Sequence, residues 1–270
     1  MIIGTLLNRD SKLYKPSMKV VIACATASDR SCVYVMGKVF PVTLTELTGS
    51  DELTDFEKIE VLEDFRSILV IAKQKNHLTA DNQYILNIQR ELMKIVMMST
   101  APELLRTTWL VLENMPTVVS DENRQIIYKK LTEDIIKFSP EEVNCLLAFA
   151  RIYPDEVHKL VLSSYINKSF EDHLEAKSIF KTFSTLLEVR ELRDHIIEVL
   201  CLNVFNNKNP KIQLVVLEVM DDILSAPKSD EIAKIFFDEW KIVIKLMDLI
   251  KNGNPDEDQD VMYQASVVRK

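Results

Sequence analysis

Glu191, His195 and Glu198 are the residues whose types and spacing come nearest to metal chemistry. At i, i+4 and i+7 they share one face of a helix, and carboxylates with imidazole on one helix face are what iron-holding bundles use. Such a bundle also needs a second Glu-x-x-His segment on a facing helix, and no other stretch of the sequence supplies one convincingly. The three are therefore expected to form an exposed ion-pair face. Zinc would need paired ligands two to four residues apart, and Cys24, Cys32, Cys145 and Cys201 stand singly within apolar stretches. They are expected to be reduced core residues. Asp256, Asp258 and Asp260 resemble the start of a calcium loop, but Val261 and Val267 occupy the positions that require Gly and Glu, so the stretch reads as a solvated acidic linker.

Nucleophilic catalysis fares no better. A Cys or Ser nucleophile needs a nearby base, yet His77 and His173 fall at helix ends or connections, and His158 and His195 fall on helices among charged residues. Four glycines could hardly form a phosphate-cradling loop. Asn167-Lys168-Ser169 fits the glycosylation pattern, but reads better as a turn with Ser169 capping the next helix. Trp109 and Trp240 continue apolar helical series and are expected in the core rather than at an interface. No catalytic, cofactor-binding or metal-binding residue is assigned, no cofactor is expected, and the partner-binding residues stay unassigned.

The elements that would position any such group are helices. Hydrophobic residues make up 47% of the 270, charged residues 27%, and glycine is too scarce for the turns that strands require. Capping-box spacing occurs at Thr54 with Glu57, Thr100 with Glu103, and Ser139 with Glu142. Pro140, Pro154 and Pro210 stand at first helical positions, whereas Pro41 falls inside an apolar run and is expected to kink or split its helix. Apolar periodicity, as in Ile212, Val215, Val216, Val219, Met220 and Ile223, places helices at 15–27, 29–47, 55–75, 81–98, 102–114, 121–137, 140–152, 154–166, 170–188, 190–206, 210–225 and 229–251.

New pairs begin near Lys15, Thr54, Thr100, Ser139, Ser169 and Asn209, an interval close to the ~40–47 residues of HEAT and armadillo units. The expected fold is an all-α, HEAT/armadillo-like solenoid of about six antiparallel helix pairs, because one hairpin cannot bury its apolar face alone. A globular helical bundle without a true repeat is the alternative. The repeat domain is expected over 1–253. Residues 254–270 read as an acidic linker followed by a tail or the start of a further helix.

The net charge of −8 argues against a general nucleic-acid binder, which gains affinity by setting Lys and Arg against phosphates. No apolar stretch reaches the ~20 residues of a membrane span. Met1 to Leu7 is interrupted by Asn8, Arg9 and Asp10, too early for a signal peptide, so the chain is expected in the cytosol or nucleus.

The run from Ser11 to Ser28, followed by Cys32 and then Lys38 to Leu44, resembles a HEAT unit of the methyl-methanesulfonate-sensitivity family of adaptors, which serve the cytosolic iron–sulfur cluster targeting complex and are also named in DNA repair. Glu103 to Ile152, with its leucine-rich helix, proline break, second helix and then Phe149-Ala-Arg-Ile-Tyr-Pro154, is similar to later repeats of that family. The resemblance implies a non-catalytic scaffold that holds apo iron–sulfur client proteins beside the targeting subunits. It transfers no individual binding residue. Family members are several times longer, so the resemblance also implies that this chain is a portion of a longer protein. A HEAT-repeat transport receptor or regulatory subunit with other cargo is the alternative function, and a metal-binding helical-bundle enzyme is a third.

Overall fold

The computed structural model describes residues 9, 11–49, 53–133, 139–165, 170, 172–207, 209–226, 230–252 and 259–268. Among these residues every regular element is helical, so the chain is all-α. The helices are α1 (Tyr14–Ala27), α2 (Asp29–Thr48), α3 (Asp55–Gln74), α4 (Gln83–Met98), α5 (Pro102–Leu112), α6 (Asp121–Glu133) and α7 (Pro140–Ala150). They continue with α8 (Pro154–Leu160), α9 (His173–Leu186), α10 (Arg193–Phe205), α11 (Pro210–Ser225), α12 (Asp230–Lys234), α13 (Ile242–Asn252) and α14 (Gln259–Val268). None of the described helices is long and apolar enough to cross a membrane.

Local chemistry accounts for most helix starts. Thr54 and Glu57 close a full capping box on α3: the Glu57 amide donates to the Thr54 hydroxyl, and the Thr54 amide donates to the Glu57 carboxylate at 2.8 Å. Ser139 and Glu142 do the same for α7, where the Ser139 amide reaches the carboxylate at 2.7 Å. The third expected box does not form. Pro102 takes the first position of α5 and makes Ala101 the cap residue, which leaves Thr100 one residue outside. Pro41 does not split α2, which runs on to Thr48. The carbonyl that Pro41 cannot satisfy belongs to Gly37, an exposed residue with open space around it, where water can serve instead.

Later boundaries also depart from the periodicity. The stretch expected as one helix over 154–166 is α8 followed by a 3₁₀ turn over Leu162–Tyr165. Asp172 caps α9, with its carboxylate accepting from the Leu174 amide at 2.9 Å, so the cap role expected of Ser169 is taken three residues later; Asn167 to Ser169 lie outside the described residues. The helix expected over 229–251 is broken. A π-helical turn spans Ile235–Glu239, closed by the Trp240 amide donating to the Ile235 carbonyl at 3.1 Å, and Lys241 follows at φ 47° before α13 begins. Positive φ at a residue with a Cβ is costly, which is why the helix cannot pass through this point unbroken.

The chain divides into two compact units, one comprising Met1–Lys130 with Ser139–Ala148 and the other Leu131–Phe138 with Phe149–Lys270. In the first, α1 packs on α2 and α3, α2 on α3 and α4, and α5 on α3 and α4. Two rows result, α1–α3–α5 and α2–α4. Their shared core includes Phe40 of α2 against Phe65 of α3, edge to face at 5.2 Å, and the fully buried Leu62, Ile68 and Leu69.

In the second unit, α11 packs on α9, α10 and α14, while α10 packs on α9, on α13 and on the π turn. The rows here are α9–α11–α14 and α10 with α13. All six periodic positions of α11, from Ile212 to Ile223, are buried. A second aromatic cluster joins Tyr165, Phe183, Phe180 and Phe170, with ring centroids 5.2–6.3 Å apart along the chain of contacts. Burying that much aromatic surface, at ~25 cal/mol per Å² of apolar area, is what holds the 3₁₀ turn against α9 and α10.

Candidate functional site

The groups with chemical potential are distributed differently from expectation. Glu191 is not on the same helix as His195 and Glu198: it sits in a 3₁₀ turn, Arg190–Leu192, that precedes α10, so the single carboxylate–imidazole–carboxylate face is not formed. The turn arises where Leu192 buries its side chain beneath α10's start. His195 instead stacks on His158 of α8, with ring centroids 3.5 Å apart and planes within 10°. No group of three His, Cys, Asp or Glu in metal-holding proximity occurs among the described residues.

Cys32, Cys145 and Cys201 are buried, and burial pushes each thiol upward, that of Cys201 to about 12. Cys24 departs from the expected core placement, because it lies on the exposed face of α1. Asp260 is exposed at the start of α14; Asp256 and Asp258 lie outside the described residues. His77 lies in the connection after α3, with Nε2 3.8 Å from the Asp29 carboxylate, and His173 opens α9 beside Asp172.

Trp109 is 2% exposed in the core of the first unit, as its periodicity requires. Trp240 is not a core residue. The π turn and the positive φ of Lys241 swing it out of the helical series to a half-buried position on the wall of a cavity of about 660 Å³. That cavity lies wholly within the second unit, between the C-terminal end of α10, the N-terminal end of α11, and the facing sides of α13 and α14.

Its apolar lining comes from Leu202, Phe205, Trp240, Leu249 and Val261. Lys245 of α13 crosses this wall with its ammonium 4.7 Å from the Trp240 ring and 5.5 Å from the Phe205 ring. Aromatic faces attract cations through their quadrupole, so the two rings hold the amine in place. Among the described residues no carboxylate lies within ion-pair distance of it, in contrast to Lys177 and Lys94, which reach Glu218 and Glu91 at 2.8 Å. The amide of Gln213 is already engaged, donating to the Val204 carbonyl at 2.8 Å and anchoring the cavity floor to the end of α10.

Polar and charged residues, Asn206, Asn207, Gln213, Lys245, Asp248 and Asn252, line the rest, so the cavity sets an apolar wall beside a polar one at a volume in the range of ligand sites. Periodicity places Trp240 and Lys245 on helices, but nothing in the spacing of residues 201–262 brings them together with Phe205. The break that turns Trp240 outward has no proline or glycine to announce it. Large exposed apolar residues include Val33 and Tyr34 on α2, Met97 and Met98 at the end of α4, Ile244 on α13 and Tyr263 on α14. No protein-family model matches the sequence, and comparison with curated proteins gives no match.

Proposed function

We propose that this chain is a helical-repeat scaffold of the HEAT/armadillo type that binds other proteins and carries out no chemistry of its own. The observation that supports the reading is the packing of alternate helices in rows, α1–α3–α5 with α2–α4 in one unit and α9–α11–α14 with α10 and α13 in the other. Within each unit, helices pack on members of the neighbouring pair as well as on their own partner, and repeat proteins generate long, accessible surfaces from packing of this kind. Exposed side chains such as Tyr34, Met98 and Tyr263 are the kind of groups that interfaces use as anchors.

In its specific form the proposal follows the family resemblance: the scaffold holds apo iron–sulfur clients beside cluster-targeting subunits, in the cytosol or nucleus. The net charge of −8 favours partners with basic patches, chiefly through association rate and specificity. Neither nucleic acid nor membrane is proposed as a direct partner. A pull-down with the purified chain, at moderate salt, against a panel of apo iron–sulfur enzymes and the targeting subunits tests it. Retention of clients supports the adaptor reading. Failure with every client and every targeting subunit removes it, and retention of only nuclear-transport or phosphatase cargo replaces it with the transport-receptor or regulatory reading.

A further inference from the structure

The cavity beside Trp240 combines three features that a stacking surface between helices does not need. Trp240 on its wall stands between a π turn and Lys241 at φ 47°, both energetically unfavourable and both concentrated at functional positions in proteins generally. Its volume of about 660 Å³ lies inside the ~300–1,000 Å³ range of small-ligand sites. Its one ammonium, on Lys245, is fixed over two aromatic rings and meets no carboxylate within ion-pair distance among the described residues.

We propose that this cavity binds an amphipathic organic anion: a carboxylate carried on an apolar body, with the body against Trp240, Phe205, Leu249 and Val261 and the carboxylate on the Lys245 ammonium. The apolar part of the wall accounts for the body, since burying hydrocarbon against it removes it from water. The ammonium accounts for the charge. An amine held by rings instead of by a carboxylate keeps its N–H donors available, and a charge-assisted bond formed at a partly apolar wall is stronger than one in open water. Asp248, one turn further along α13, lies exposed on the rim, where water screens it, and it disfavours ligands with a second acidic group on that side. The carboxylate could arrive on a free organic acid or on an acidic side chain of a bound protein, since the chemistry is the same. This inference goes beyond the scaffold reading and stands apart from it.

Titration of the full chain with phenylbutyrate and with its neutral analogue phenylbutyramide, followed by tryptophan emission, tests the proposal. Trp240→Phe assigns the signal to the cavity, because Trp109 lies in the other unit. The expected result is a saturable change with the acid, at least roughly ten-fold weaker binding of the amide, and a similar loss in Lys245→Gln, as for removal of a charged hydrogen bond. Circular dichroism checks that Lys245→Gln keeps its helicity, and should it not, the acid–amide comparison on the unaltered chain decides alone. A capped peptide carrying Asp beside Leu separates the sources: tighter binding than phenylbutyrate points to a partner's side chain, and weaker binding to a free acid, with the cavity assignment standing in both cases. Equal affinity for acid and amide, absence of saturation, or an unchanged affinity in a folded Lys245→Gln would overturn it.

Discussion

The imidazoles of His158 and His195 lie face to face, 3.5 Å apart and nearly parallel, joining α8 to the start of α10. Each ring is half-buried, and the stack leaves both sets of nitrogen lone pairs in parallel planes that do not converge on a shared metal. Burial first, and His195 second, lower the pKa of His158, while Glu198 and Asp155 act in the opposite direction. A lowered folded-state value means that the unfolded chain binds the proton more readily. Stability is therefore full above the ordinary value of 6.5 and falls as pH drops through it toward the folded value, where the loss levels off. Urea unfolding between mildly alkaline and mildly acidic pH should show this fall, and His158→Gln should flatten it. An unchanged slope in that variant would assign the effect elsewhere.

Helix caps provide a paired comparison. Thr54→Ala removes a hydroxyl that closes a capping box and should cost about 1 kcal/mol in unfolding free energy. Thr100→Ala should be nearly silent, because Ala101 already occupies the cap position of α5. Equal losses at the two threonines would contradict the helix start drawn at Pro102.

Gln89 is fully buried in α4 yet poorly served: among the described residues its amide nitrogen reaches only the Met115 sulfur, at 3.7 Å, and its amide oxygen has no hydrogen-bond partner. An unmet buried acceptor destabilises by its full desolvation cost, so Gln89→Met, which keeps the shape and removes the polar atoms, should stabilise by about 1 kcal/mol. The midpoint of chemical unfolding should rise. A fall would indicate a buried water bonded to that oxygen.

Thiol accessibility should separate the four cysteines sharply. Cys24 is exposed, while Cys32, Cys145 and Cys201 are buried with thiols held protonated by burial. Reaction with a chromogenic disulfide should label Cys24 promptly and the other three only on unfolding. Prompt labelling of Cys201 would mean that the cavity beside it opens far more deeply than its lining suggests.

Much of this architecture is legible in residue types alone, for identifiable reasons. A capping box is a local device, so Thr54 with Glu57 and Ser139 with Glu142 declare their helices without tertiary information, and Pro140, Pro154 and Pro210 do the same from a fixed φ. The signal fails where two local devices compete, as when Pro102 overrules Thr100, or where the helix runs on past a proline whose orphaned carbonyl belongs to an exposed residue, as at Pro41 and Gly37. Pairings between distant elements leave no local mark. His158 with His195, and Lys245 with Trp240 and Phe205, depend on which helices pack together, and the π turn that releases Trp240 lies in an uninterrupted apolar series. Glu191 departs from the expected helix face for the same reason, since helical periodicity runs straight through the 3₁₀ turn that carries it.

Small-angle X-ray scattering of the monomeric chain tests most directly whether successive helix pairs continue as an open row. A compact chain of 270 residues has a radius of gyration of about 18 Å, and a solenoid of the same length must exceed it clearly, with an asymmetric distance distribution. A symmetric distribution at the compact value would contradict the scaffold account.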